Sequence, residues 1–156
     1  MFTVRRLSWL AAIACVAALP VGVAQASSRR SASKLCAPIR ATGVGQDLGA
    51  GMTTATISSH GIVLGHTHAS FTMGPVTGTS ASFSGPIVFS SSVGSLTANV
   101  DGSFDVSSGA FQASSRSVTG TGLLRRVTGQ VTINGLESLS SGAFTETITG
   151  RLCAGH

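Results

Sequence analysis

Three sets of residues in this 156-residue chain have types and spacings that could do chemistry: a glutamate in an apolar strand, a His-x-His pair and two distant cysteines. Glu146 alternates with Thr145 and Thr147 and shares the face of Phe144 and Ile148, which a period of two turns inward. A carboxylate placed there must be paired, protonated or reached by water. With a raised pKa it could take and return a proton, so Glu146 is the candidate catalytic residue. Phe111, Phe144 and Ile148 are the candidate walls of a site for a small apolar ligand. The competing reading is structural: an inner ion pair with Arg40 or another arginine, or a place at the rim of the fold.

His66-Thr67-His68 puts two imidazoles on one strand face, joined by His60 if that strand is unbroken. Two ligands do not complete a metal site, and the nearest downstream acid is Asp101. Val63, Ala69 and Phe71 claim the opposite face for the core, so His66 and His68 read as an exposed pair. No metal and no other cofactor is expected. Serines are many, but none sits in the strand-to-helix elbow that a nucleophilic serine needs. No glycine loop opens a helix to cradle phosphate.

The elements that must position these residues are strands. From Thr42 onward Gly, Ser and Thr predominate, with Val, Ile and Phe at intervals and no helical spacing sustained over three turns. Leu96, Ala98 and Val100 share one face, as do Val127, Val131 and Ile133, and then Phe144, Ile148 and Leu152. Turn signals recur about every ten residues: Asp47-Leu48-Gly49, His60-Gly61, Met73-Gly74-Pro75, Ser84-Gly85-Pro86, Asp101-Gly102, Ser108-Gly109, Asn134-Gly135 and Ser141-Gly142. Ser108-Gly109-Ala110-Phe111 recurs as Ser141-Gly142-Ala143-Phe144, which reads as two hairpins of one sheet. The expected fold is all-β: an antiparallel meander of eight to ten short strands closing into a roughly eight-stranded barrel, after an N-terminal signal helix.

That leader is residues 1–26. Arg5 and Arg6 precede an apolar run from Leu7 to Leu19, Pro20 ends it, and Ala24-Gln25-Ala26 supplies a small-x-small cleavage site. The run is shorter than the ~20 residues a membrane-spanning helix needs. Cleavage after Ala26 predicts a secreted or periplasmic protein without a transmembrane anchor. It also lowers the formal net charge from +5 to +3, since Arg5 and Arg6 leave. Arg29, Arg30 and Lys34 lie in a flexible basic Ser-rich segment, residues 27–35, ahead of a single domain at 36–156. Two cysteines remain, Cys36 and Cys153, near its two ends; in an oxidising compartment they read as a disulfide, which needs the first and last strands to be neighbours. Nucleic acid is not an expected partner: no basic stripe is interleaved with aromatics, and the mature chain has neither Tyr nor Trp. An outer-membrane barrel would need aromatic girdles, which are missing.

Gly120-Thr121-Gly122-Leu123-Leu124-Arg125-Arg126-Val127-Thr128-Gly129 resembles the Gly-Thr-Gly-x-Phe-x-x-Ala-x-Gly segment of small barrels in the allene oxide cyclase and dirigent superfamily, including secreted bacterial proteins that end on a strand, a Gly and a Cys. The likeness is strongest over residues 102–153. Leu124 stands for the aromatic, Val127 for the alanine and Arg126 for a frequent glycine. The resemblance implies an eight-stranded barrel and carries over no catalytic residue, because plant members use tyrosines and this chain has none. Relatives of this shape often associate, so a homo-oligomer is compatible with it. The sequence thus favours a non-enzymatic exported barrel that binds a small apolar ligand or serves the cell envelope. The alternative is a small isomerase or cyclase working through the inward carboxylate.

Overall fold

The computed structural model describes residues 35–60 and 62–155. The expected signal helix and the basic segment up to Lys34 lie outside them. The described chain is all-β: β1 (Leu35–Gly49), β2 (Met52–Ser59), β3 (Ile62–Ser70), β4 (Thr72–Thr77), β5 (Ser80–Ser91), β6 (Gly94–Asp105), β7 (Ala110–Ser115), β8 (Val118–Gly120), β9 (Val127–Glu137) and β10 (Ala143–Ala154). A single 3-10 turn, Gly122–Leu124, leads into β9.

All pairings are antiparallel. β4 continues β3 past Phe71, and the two share β5 as partner; β8 continues β7 past Arg116 and Ser117, and both pair with β6. The circuit β1-β2-β3-β5-β6-β7-β9-β10 returns to β1, so an eight-stranded barrel closes, with β4 and β8 each paired to one strand only. The last seam is β1 on β10, where Cys36 stands opposite Cys153 and bonds to it across 117 residues, with the Cα atoms 3.9 Å apart. A disulfide of this kind is consistent with an extracellular or periplasmic location. Among the described residues no helix is long and apolar enough to cross a membrane, which says nothing of a β-barrel.

Alternation fills the interior. Ala98 and Val100 on β6, Val131 and Ile133 on β9, and Phe144 and Ile148 on β10 are buried, while the intervening Asn99, Thr132, Thr145 and Thr147 face solvent. Val63 has no described side chain, but Ala69 is buried and Phe71 packs on the core as expected.

Half of the glycine signals are not turns. Asp47-Leu48-Gly49, His60, Ser108-Gly109 and Ser141-Gly142 do sit at chain reversals, the last two with φ of 76° and 69° at the glycine. Gly74, Gly85, Gly102 and Gly135 lie inside strands instead. The physical reason is packing. Gly102 is opposite Phe83 and Gly135 is opposite Phe111, and a side chain on either glycine would run into the ring that covers it. Gly45 lies under Phe144 in the same way. Asp101 and Asp105 therefore do not flank a turn at Gly102. Asp101 is on the outer face of β6, and Asp105 closes the β6–β7 turn by accepting hydrogen bonds from the amides of Ser107 and Ser108, at 2.8 and 2.9 Å.

Candidate functional site

The barrel interior is divided. Ile133 and Ile148 face each other in register on β9 and β10 and are the largest fully buried side chains. Ile133 borders a cavity at one end, and Ile148 borders a different cavity at the other. On this wall of the barrel they mark the waist between the two cavities.

The narrow cavity, about 140 Å³, lies at the end carrying the β1–β2, β6–β7 and β9–β10 turns. Its walls hold five of the six phenylalanines of the described chain: Phe71, Phe83, Phe104, Phe111 and Phe144. Phe111 and Phe144, the aromatic residues of the two Ser-Gly-Ala-Phe segments, meet edge to face at 5.8 Å between ring centres. Phe71 and Phe83 lie 4.9 Å apart, tilted by 56°.

Glu146 enters this cavity. Its neighbours across the sheet are Gly43 on β1 and Gly135 on β9. A side chain at Gly43 would collide with the Glu146 carboxyl, so the missing Cβ makes room for it. Burial pushes its pKa from 4.5 up to about 7, and neither a hydrogen bond nor a neighbouring charge offsets that cost. The ion pair with Arg40 offered by the competing reading does not form: Arg40 is exposed on the outer face of β1, opposite Thr149, and belongs to the other end. Two more acids line the narrow cavity, Asp47 and Glu137. Partial burial raises the pKa of Glu137, and the Asp47 charge adds to that. Alternation could have found both, since Asp47 follows Gly43 and Gly45 by twos, and Glu137 follows Ile133 and Gly135.

The other cavity is a funnel of about 730 Å³ at the disulfide end. Ile39, Ile57, Leu64, Phe89, Leu96 and Leu152 contribute its apolar wall, and Leu124 of the 3-10 turn stands over it. Of the sequence candidates, then, Phe111, Phe144 and Glu146 come together, whereas Ile148 and the exposed His66 border the funnel. No local pattern marks the funnel, because its walls come from eight segments brought together by closure.

His66 and His68 project from the outer face of β3, both exposed; His66 Nδ1 is 3.3 Å from the Thr56 hydroxyl. His60 is not on their strand. It sits in the β2–β3 turn at φ 50°, after an irregularity in register at Ile57–Ser58. Among the described residues no three His, Cys, Asp or Glu side chains are grouped so as to hold a metal ion.

No family model matches the chain, and no curated protein and no solved structure matches it.

Proposed function

We propose that this protein is an exported binding barrel that takes a small apolar molecule into the funnel at its disulfide end, in the manner of the small-ligand barrels of the allene oxide cyclase and dirigent superfamily that it resembles. The observation that carries this reading is a concave apolar volume of about 730 Å³ in a closed barrel. Sites for small organic ligands occupy roughly 300–1,000 Å³ and are lined in this way. An apolar probe such as N-phenyl-1-naphthylamine should brighten on entering the funnel. Leu64→Trp, at an exposed rim position, should block that entry without unfolding the barrel. A chain that never brightens the probe, and that emerges empty in native mass spectrometry of protein from its own host, would end the proposal.

A second reading is favoured by one specific observation, the Glu146 carboxyl held near pKa 7 among aromatic rings. Such a group can donate or accept a proton at neutral pH, as an isomerase or cyclase requires. On this reading Glu146→Gln abolishes turnover of a candidate substrate while the fold survives. A cavity of about 140 Å³ restricts that substrate to small molecules, which is why binding is the preferred function.

A further inference from the structure

We propose that the narrow end of the barrel is a second, separate binding site, which takes a small organic cation of the alkylammonium class into the phenylalanine cavity against the Glu146 carboxylate. This inference does not depend on what the funnel binds.

The cavity has three properties that fit together. Its size, about 140 Å³, is close to the roughly 150 Å³ known to hold a benzene-sized guest, so a trimethylammonium or short alkylammonium group fills it. Its walls are rings: five phenylalanines present π faces or edges, and a cation near a ring face is attracted by the ring quadrupole. Its charge is of one sign. Asp47, Glu137 and Glu146 are the titratable side chains lining it, and no arginine, lysine or histidine is among the lining residues.

A neutral apolar guest would gain the ring contacts but leave the buried carboxyl without a partner. An anion would be repelled by three acids. A cation gains the ring contacts and also supplies the counter-charge that Glu146 otherwise lacks. The segregation of the chain's charges points the same way. The described chain has five acids and five arginines and is formally neutral. Yet Asp47, Asp105, Glu137 and Glu146 collect at the narrow end, while Arg40, Arg125, Arg126 and Arg151 lie towards the disulfide end. This arrangement steers a cation to the narrow mouth.

Binding is linked to protons. The groups around Glu146 are Gly43 and Asp47 on β1, Gly135 and Glu137 on β9, Ile57 on β2, and the phenylalanines across the cavity. No base faces it from these elements. With its pKa near 7, Glu146 is half protonated at neutrality, and an entering cation favours the ionised form. About half a proton per chain therefore leaves as the cation enters at neutrality, approaching one at lower pH, and affinity falls as the pH drops.

The test uses the full chain with its disulfide formed, and compares choline with its uncharged isostere 3,3-dimethylbutan-1-ol by NMR titration of the phenylalanine ring signals. Choline should bind at least about tenfold more tightly than the isostere, and its affinity should fall about tenfold from about pH 8 to about pH 6. Glu146→Gln should remove that preference for charge, and Phe144→Leu should weaken choline several-fold while keeping the cavity apolar. Backbone amide spectra that keep the wild-type dispersion in both variants show that the barrel is intact. Equal binding of the two compounds, unchanged choline affinity in Glu146→Gln, or no choline-dependent shift in the wild-type rings would each overturn the proposal.

Discussion

The two ends of this barrel are built from the same alternating strands and yet solve opposite packing problems. At the narrow end, large rings are laid over glycines of neighbouring strands: Phe83 over Gly102, Phe111 over Gly135 and Phe144 over Gly45. Each pair fills the interior while leaving the backbone unobstructed, so the remaining space is small and aromatic. At the disulfide end the inward positions are mostly branched aliphatics, with Phe89 as the lone phenylalanine, and the space left between them is about five times larger. A barrel of fixed strand number can thus carry two cavities of different size and chemistry, set by which inward positions are glycine and which are phenylalanine.

The largest effect should come from breaking the seam at the wide end. Replacing Cys36 and Cys153 by alanine removes a link closing a loop of 117 residues, worth up to about 4–5 kcal/mol in the chain-entropy account. Urea unfolding should read that loss. Amide exchange should accelerate near Ala37 and Leu152 much more than near Phe144, because the narrow end is held by ring packing. Uniform acceleration would mean that the two ends are not independent.

Next in size is the waist. Ile133→Ala and Ile148→Ala should each cost about 2–4 kcal/mol, since both side chains are fully buried. They should differ in where the new space opens. Ile148→Ala should tighten binding of larger probes in the funnel, and Ile133→Ala should admit larger guests beside Glu146. Identical ligand profiles for the two variants would dissolve the division.

Glu146→Gln should stabilise the protein at pH 8 by about 2–3 kcal/mol, discounted for water that reaches the carboxyl. The sign follows from linkage. The folded-state pKa of about 7 lies above the ordinary 4.5, so the folded protein keeps its proton longer than the unfolded chain. The Glu146 contribution to stability is therefore most favourable below about pH 4.5 and is lost as the pH rises through about 7, and the variant should lose that slope. Thermal melts between pH 4 and pH 8 decide it.

The smallest effect belongs to Asp105, whose situation is the reverse. The Ser107 hydroxyl and the Ser108 and Ser107 amides hold its carboxyl well below the usual carboxylate range, although it is exposed to solvent screening. Its contribution is present above the ordinary carboxylate pKa and fades in strong acid. Asp105→Asn should therefore lower the melting temperature slightly at neutral pH and converge with the wild type at the acid extreme.

Much of the barrel is legible in the chain. Alternation at 96–100, 131–133 and 144–152 names the buried faces, and the two cysteines announce that first and last strands meet. The same alternation placed Glu146 inside, and it placed the histidine pair outside. The glycines misled where they lie under rings: Asp101-Gly102 and Asn134-Gly135 have the composition of tight turns, but their partners Phe83 and Phe111 lie on other strands. Ile148 shares a face with Phe144, so a local pattern groups them in one pocket, although the waist assigns them to different ends.

By itself, then, the order of residues determined which side of each strand is apolar and which carboxylate is buried, because those properties repeat every two residues along a pleated chain. Only the tertiary structure decided which glycine receives which ring, that Glu146 stands between Gly43 and Gly135 without a partner, and that the interior is cut into a funnel and a small aromatic chamber. Those facts depend on the register of strands distant in sequence. Register is fixed by closure of the whole sheet and leaves no trace in any single stretch of it.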